Sequence, residues 1–246
     1  MLRAFLALGL IALATPVGAT PPNVILKAEY IEPTRRYDHG ILGDAIEWGA
    51  LKVTFDACAG CPGASAADHR RVRIIRLPAS RVFEDIAPRI ITDEFTMTYV
   101  LVVETDLGLG ARLAIYDTGG LAHATPFIGR SHRWLAPVGA ADLDGDGVPE
   151  IAYVEKPHLS KVLKVWRFHE SGLQLVATLP GLANHRIGQD FITGGIRECA
   201  GAPEIITADA GWTQVMATRL RGDRLSTRAI APFSGPNIRL ALACKL

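Results

Sequence analysis

The densest chemistry in this sequence lies between residues 140 and 154, AADLDGDGVPEIAYV. Asp142, Asp144, Asp146 and Glu150 place four carboxylates within nine positions, with glycines between them. Like charges so close repel one another, so the stretch demands a counter-charge. Counted from Asp142, the acids fall at positions 1, 3, 5 and 9. Gly147 stands at position 6, where the chain must turn sharply, and Val148 at position 7 offers a backbone carbonyl. An all-oxygen set of this kind suits a hard cation of calcium's size, and one structural Ca2+ site is the expectation. The competing reading is an acidic turn without metal. An EF-hand opens in the same way but needs a bidentate Glu at position 12 and a helix on either side. Position 12 is Tyr153, inside a strand-like run, and Pro149 opposes an exiting helix. Coordination filled by the chain leaves no open position for catalysis, so the ion's expected role is structural.

A second set of residues is dispersed. His132 and Arg133 in SHRWLAPVG and His185 and Arg186 in NHRIGQDF stand at matching points ahead of strand-like runs. His39 in DHGILGD stands near the corresponding point earlier in the chain. Brought together, these groups would bind an anion or a glycan acid; apart, they would hydrogen-bond the connecting loops. Asp38, Asp44, Glu47, Asp93, Glu94 and Asp190 lie in segments that lead toward buried strands. Two of them facing each other across a cavity would form the apparatus of a glycosidase. The sequence contains no G-x-S-x-G, H-E-x-x-H or Walker-type loop, and DLGLGAR lies between two strands, where a dinucleotide loop does not belong. No catalytic residue is named on this basis.

The elements that must position these groups are short and rich in β-branched and aromatic residues. ALKVTF, TYVLVVE, EIAYVE and EIITAD begin near Ala50, Val100, Ile151 and Ile205, at intervals of about fifty residues. Each is followed by a more amphipathic strand (VRIIRL, RLAIYD, LKVWRF, VMATRL) and then a third (SRVFEDI, LAHATPFI, LQLVATL, LSTRAIA). Trp166 and Trp212, in or just before equivalent second strands, read as packing residues. Turn compositions such as DTGG, HESG and RGD separate the runs, and no long helical period follows residue 20. The fold class is all-β. The period points to a β-propeller of roughly fifty-residue blades, with a β-sandwich as the alternative. A further run, NIRLALA from Asn237, reads as a fifth inner strand that the N-terminal NVILKAEYIEP would join to close a five-bladed ring.

Four cysteines suit an oxidising compartment. Cys58 and Cys61 form a C-x-x-C whose sequel, CPGASAADHRRVRIIRL, turns back into a strand. The long helix of a thioredoxin-type redox site does not fit there, so a local disulfide is expected. Cys199 and Cys244 would lie in neighbouring blades and could clamp the closure, although four cysteines allow three connectivities. A zinc site is disfavoured because no second C-x-x-C exists.

Composition bounds the rest. The chain has 246 residues, 49% of them hydrophobic, and 26 basic against 25 acidic residues. Near-neutral charge with no basic stripe argues against a nucleic-acid partner. Residues 1–19 combine Arg3, an apolar run and the small residues Val17-Gly18-Ala19. They read as a signal peptide cleaved after Ala19, leaving a single domain over 20–246 that is periplasmic or secreted, without a membrane span.

DLDGDGVPEIAYV resembles the D-x-D-G-D-G-x-x-[DE] core of FG-GAP, or VCBS, repeats, as in integrin-type β-propellers and exported bacterial proteins. The resemblance implies that Asp142, Asp144, Asp146, Glu150 and the Val148 carbonyl hold calcium at the edge of one blade. GDAIEWGALKV and RIITDEFTMTYVLVV occupy equivalent places but have lost most of the carboxylates, and IRECAGAPEIITA keeps the Pro203-Glu204-Ile205 ending and replaces the cage with Cys199 and Ala200. The expected function is a calcium-stabilised, exported, non-catalytic binding or scaffold module for a protein or glycan. The alternative is a glycan-active hydrolase or lyase on the same scaffold. A thiol redox role for Cys58 is the third possibility.

Overall fold

Alternating apolar and polar residues, punctuated by glycine-rich turns, generate seventeen strands and one short helix among the described residues. The computed structural model describes residues 23–59, 61, 67–199 and 201–246. The expected signal peptide lies outside them. Every paired strand is antiparallel, and the strands fall into four successive units. The first comprises β1 (Val24–Thr34), β2 (Glu47–Asp56) and β3 (Arg70–Arg76). The second comprises β4 (Arg81–Phe83), β5 (Arg89–Thr92), β6 (Thr98–Asp106), β7 (Gly110–Tyr116) and β8 (Leu121–Ala124). The third is a four-stranded sheet of β9 (Leu135–Ala141), β10 (Glu150–Glu155), β11 (Val162–His169) and β12 (Gly172–Pro180). The fourth comprises β13 (Leu182–Ala183), β14 (Gly195–Arg197), β15 (Glu204–Asp209), β16 (Gln214–Arg221) and β17 (Arg224–Pro232). A helix, α1 (Gly235–Leu242), follows. A single bridge between Trp48 on β2 and Phe83 on β4 joins the first two units into one sheet.

β6, β10 and β15 are buried along nearly their whole length, as is β7, and β2 is buried over its first half, as their apolar sequences require. Apolar layers form between successive units. Leu51 and Val53 meet Val100 and Val102 between the first and second. Leu101 and Ile115 meet Leu135 and Ile151 between the second and third. Val154 and Val165 meet Ile205 and Leu220 between the third and fourth. Each such side chain, fully withdrawn from water, contributes about 1.5–3 kcal/mol before the entropy of ordering is subtracted.

Two expectations about topology are corrected. SRVFEDI does not complete the first repeat: its strand β4 pairs with β6 and belongs to the next unit. NIRLALA is not a strand but the body of α1. Ser234 caps the helix by accepting the Asn237 N–H, and Pro236 sits in its first turn, where its missing N–H costs nothing. Ile238 and Ala241, three positions apart, share one face and pack on Ile206, Val215 and Ala217 of the fourth unit. The helix therefore covers one face of the fourth sheet. At the other end, β1 pairs with β2 alone, and Lys27, Glu29 and Lys52 ion-pair across the outer face of that sheet. That face mixes these charges with the exposed side chains of Val72 and Ile74 on β3. The five-bladed closure by joined terminal strands does not form.

The units are linked at one end by the loop between β1 and β2, residues 35–46. Its Ile41 enters the apolar layer between the second and third units, and its carbonyl accepts the Gly188 N–H of the fourth. A Cβ on Gly43 would lie 2.9 Å from the Gly188 carbonyl oxygen, so only glycine allows this approach.

Cys58 pairs with Cys61, and Cys199 pairs with Cys244 just beyond α1, both as the sequence suggested. β3 starts at Arg70, which leaves no room after Cys61 for a long helix. Both bonds suit an oxidising compartment. No helix among the described residues is long and apolar enough to cross a membrane.

Candidate functional site

The acidic loop joins β9 to β10 and is organised by its first carboxylate. Asp142 Oδ1 accepts the N–H groups of Gly145 and Asp146, at 2.7 and 3.1 Å, and Oδ2 accepts that of Gly147 at 3.0 Å. Gly145 and Gly147 have φ of 85° and 90°, the left-handed values such a tight wrap needs. The wrap brings ligand atoms of Asp142, Asp144 and Asp146 within 4.8 Å of one another. Glu150 plays a different part. It is fully buried, accepts the Leu143 N–H at 2.8 Å through Oε2, and accepts Arg167 Nε at 2.6 Å through Oε1. Burial pushes its carboxyl above the usual range, and Arg167 and the Leu143 N–H pull it back. The same guanidinium reaches Asp144 and, at 3.3 Å, Asp146. Part of the counter-charge is thus an arginine on β11, paired with Glu150 across the sheet.

The corresponding loop of the fourth unit reaches rigidity differently. Cys199 is stapled to Cys244. Glu204, at the position of Glu150, is gripped by Arg197, Arg219 and Arg228. Burial works against its charge, but the three guanidinium groups win and hold its carboxyl down at about 2.

The histidines converge at the end of the molecule bridged by loop 35–46. A pocket of about 190 Å3 is lined by His39, Ile41, His132, Arg133, Trp134, Lys156, Pro157, His158, Leu159 and Ile187. Of the residues singled out in the sequence, His39, His132 and Arg133 meet there. His185 stands just behind, its Nδ1 3.0 Å from His158 Nε2 and its Nε2 2.9 Å from the Gln189 carbonyl oxygen. Arg186 goes elsewhere and lies 4.4 Å over the ring of Trp212, with Phe233 beyond. Trp166 donates to the Tyr153 hydroxyl as a packing residue. His158 escaped the sequence comparison because it follows its inner strand, whereas the others precede theirs.

Each imidazole is held. His39 Nδ1 meets buried Glu84, which also accepts the Thr105 hydroxyl. Burial raises the Glu84 carboxyl, and His39 opposes the rise. His132 is engaged at both nitrogens, by Ser131 Oγ at 3.0 Å and Asp38 Oδ1 at 2.8 Å. This Ser–His–Asp chain stands in water, with Asp38 89% exposed, and lacks the sheltered carboxylate a nucleophilic relay requires. Trp134 donates to the Glu84 carbonyl and lies parallel to His158 at 6.5 Å. Burial depresses both inner histidines, His158 to about 4, with the neighbouring His185 and His39 adding to the effect there.

A separate cavity of about 430 Å3 is lined by Asp44, Asp85 and Asp190 together with Pro33, Leu42, Ile46, Trp48 and Ile86. Next to it, Glu47 is 2% exposed. Burial, reinforced by Glu84, Asp44 and Asp85, pushes its carboxyl up to about 9. Asp93 instead organises its own turn, accepting the N–H groups of Phe95 and Met97, and Glu94 lies 3.9 Å from His169.

No family model matches the chain, and no curated protein matches it significantly.

Proposed function

We propose that this chain is an exported, calcium-stabilised repeat protein of FG-GAP or VCBS type, built as an open propeller-like array, that binds a protein or glycan without catalysing a reaction. The observation that carries the reading is the acidic loop. One aspartate spends three hydrogen bonds on gathering two others, at a bend that runs straight into a buried strand. Four carboxylates against one guanidinium leave net negative charge for a divalent cation, and hard oxygen donors suit calcium. Asp142, Asp144 and Asp146 would hold the ion with the Val148 carbonyl, while Glu150 anchors the base of the loop through Arg167. The ion's contribution is rigidity. The surface offered to a partner is the end where loops of all four units meet around the histidine pocket.

The test is thermal unfolding with and without Ca2+. A rise in Tm is expected for the wild type and none for Asp144→Ala. An unchanged wild-type Tm sinks the calcium reading.

One observation favours a second reading, a glycan-active hydrolase or lyase. Glu47 keeps its proton at neutral pH beside the aspartate-lined cavity, the state a general acid needs. A panel of acidic and neutral polysaccharides separates the two. Depolymerisation lost in Glu47→Gln supports the enzyme, and retention on a polysaccharide without turnover supports the binding module.

A further inference from the structure

We infer that the open edge of β3 is a docking site for an extended acidic segment of a partner protein, which adds to the first sheet as a further strand. β3 pairs with β2 from Arg70 to Arg76 in unbroken register. Among the described residues, no strand pairs with its other side. The His69 carbonyl accepts the Ala57 N–H, and the Leu77 N–H donates to the Gly49 carbonyl. Backbone groups of an antiparallel strand point to alternate sides along the chain. The odd-numbered residues therefore bond β2, and the N–H and C=O groups of Arg70, Val72, Ile74 and Arg76 face outward. The other outer strands are blunted. The pairings of β1, β8, β9, β12 and β17 each contain a bulge, and β5, β13 and β14 are no longer than four residues. Bulges and shortness protect an edge from pairing. β3 has neither, and its seven residues include no proline or glycine.

Charge selects the occupant. Arg70, Arg71 and Arg73 are exposed and form no ion pair among the described residues, whereas Arg76 is neutralised by Glu32 at 2.7 Å. Arg71 and Arg73 donate to neutral backbone carbonyls, which leaves their charge uncompensated. A second copy of the chain fits poorly. Full antiparallel overlap of two β3 strands sets Arg73 against Arg73 and Arg70 against Arg76, and like charges directly opposite destabilise a strand pair. A segment that alternates carboxylates with apolar residues suits both faces of the strand. Its acids lie beside Arg71 and Arg73, and its apolar side chains lie beside Val72 and Ile74, exposed on the opposite face. Main-chain hydrogen bonds supply the affinity, and the alternation sets the register. An acidic polysaccharide would answer the arginines but not the outward backbone groups. The edge shares no residue with the acidic loop or the histidine pocket, so the assignment is independent of the calcium reading.

The probe is a fluorescein-labelled peptide of alternating valine and glutamate, and its binding to the full chain is read by fluorescence anisotropy. Saturable binding that weakens with added salt is expected. The same peptide N-methylated at its valines, whose N–H groups would lie opposite Val72 and Ile74, keeps every charge and should bind at least about tenfold more weakly. That comparison needs no variant to fold. Val72→Pro removes one outward N–H and no bond to β2, and should weaken the peptide by about fivefold or more. Arg71→Gln combined with Arg73→Gln should weaken it similarly and flatten the salt dependence. Equal affinity for the N-methylated peptide, unchanged affinity in both variants, or polygalacturonate binding as tightly as the peptide would overturn strand addition. A wild-type dimer that Val72→Pro dissociates would overturn it too, by giving the edge to a second copy.

Discussion

Arg167 on β11 and Glu150 on β10 face each other across the third sheet, with Nε 2.6 Å from Oε1, and the arginine extends from there to Asp144. The acidic loop therefore has an internal cation before any metal arrives. Replacing Arg167 by Met leaves a fully buried carboxylate without its partner, a change that typically costs about 3–5 kcal/mol. The variant should melt well below the wild type without calcium. It should also gain more from added calcium, because one positive charge has left the cluster. A calcium response smaller than that of the wild type contradicts this division of labour.

Glu204 gives the fold a pH dependence of known sign. Its carboxyl is held at about 2 when folded, against an ordinary value of 4.5. A carboxyl with a depressed folded value contributes stability that is fully present above about 4.5 and is lost as pH falls through about 2. The ceiling is about 3 kcal/mol. Glu204→Gln should therefore flatten the acid limb of a stability-against-pH curve between those two values, measured by urea unfolding. An acid limb identical to the wild type means that other carboxylates dominate.

The Cys199–Cys244 bond ties the loop before β15 to the residues after α1 and closes 45 residues of chain. Arg197 adds hydrogen bonds to the carbonyls of Ala241 and Leu246. A Cys199→Ser and Cys244→Ser double variant should lose about 2–4 kcal/mol. Its amide exchange should rise first in residues 235–242. Uniform acceleration over all four units indicates instead that the bond stabilises the whole chain and not the docking of α1.

Sequence periodicity was a good guide to the buried strands and a poor one to the ends. Val100, Ile151 and Ile205 are fully buried where the repeats place them, because inner strands in apolar layers must be continuous hydrophobic runs. NIRLALA carries the same composition, yet Ser234 and Pro236 ahead of it are helix-start signals, and they outweigh β propensity in a segment that has only one face to bury. The clustering of Asp142, Asp144 and Asp146 was legible because their spacing is local. Arg167 was not, because its partnership with Glu150 depends on strand register seventeen residues downstream. The histidine pocket was half legible: three of its groups share a repeat position, whereas His158 enters from the far end of a strand.

The helix provides the last test, since it packs against one face of the fourth sheet. Ile238 is 6% exposed, and Ala241 is fully buried. Together they close the face formed by Ile206, Val215 and Ala217. If α1 is the cap of that sheet, Ile238→Asp places a charge in the closing layer and undocks the helix, exposing three apolar side chains that a terminal unit must hide. The expected outcome is a Tm lowered by several degrees, binding of a hydrophobic dye and self-association on gel filtration. Ser234→Ala should act in the same direction but weakly, by about 1 kcal/mol, because it removes only the N-cap. Should Ile238→Asp elute and melt like the wild type, the face beneath α1 is not the closing layer, and the fourth sheet must be protected by something other than the helix.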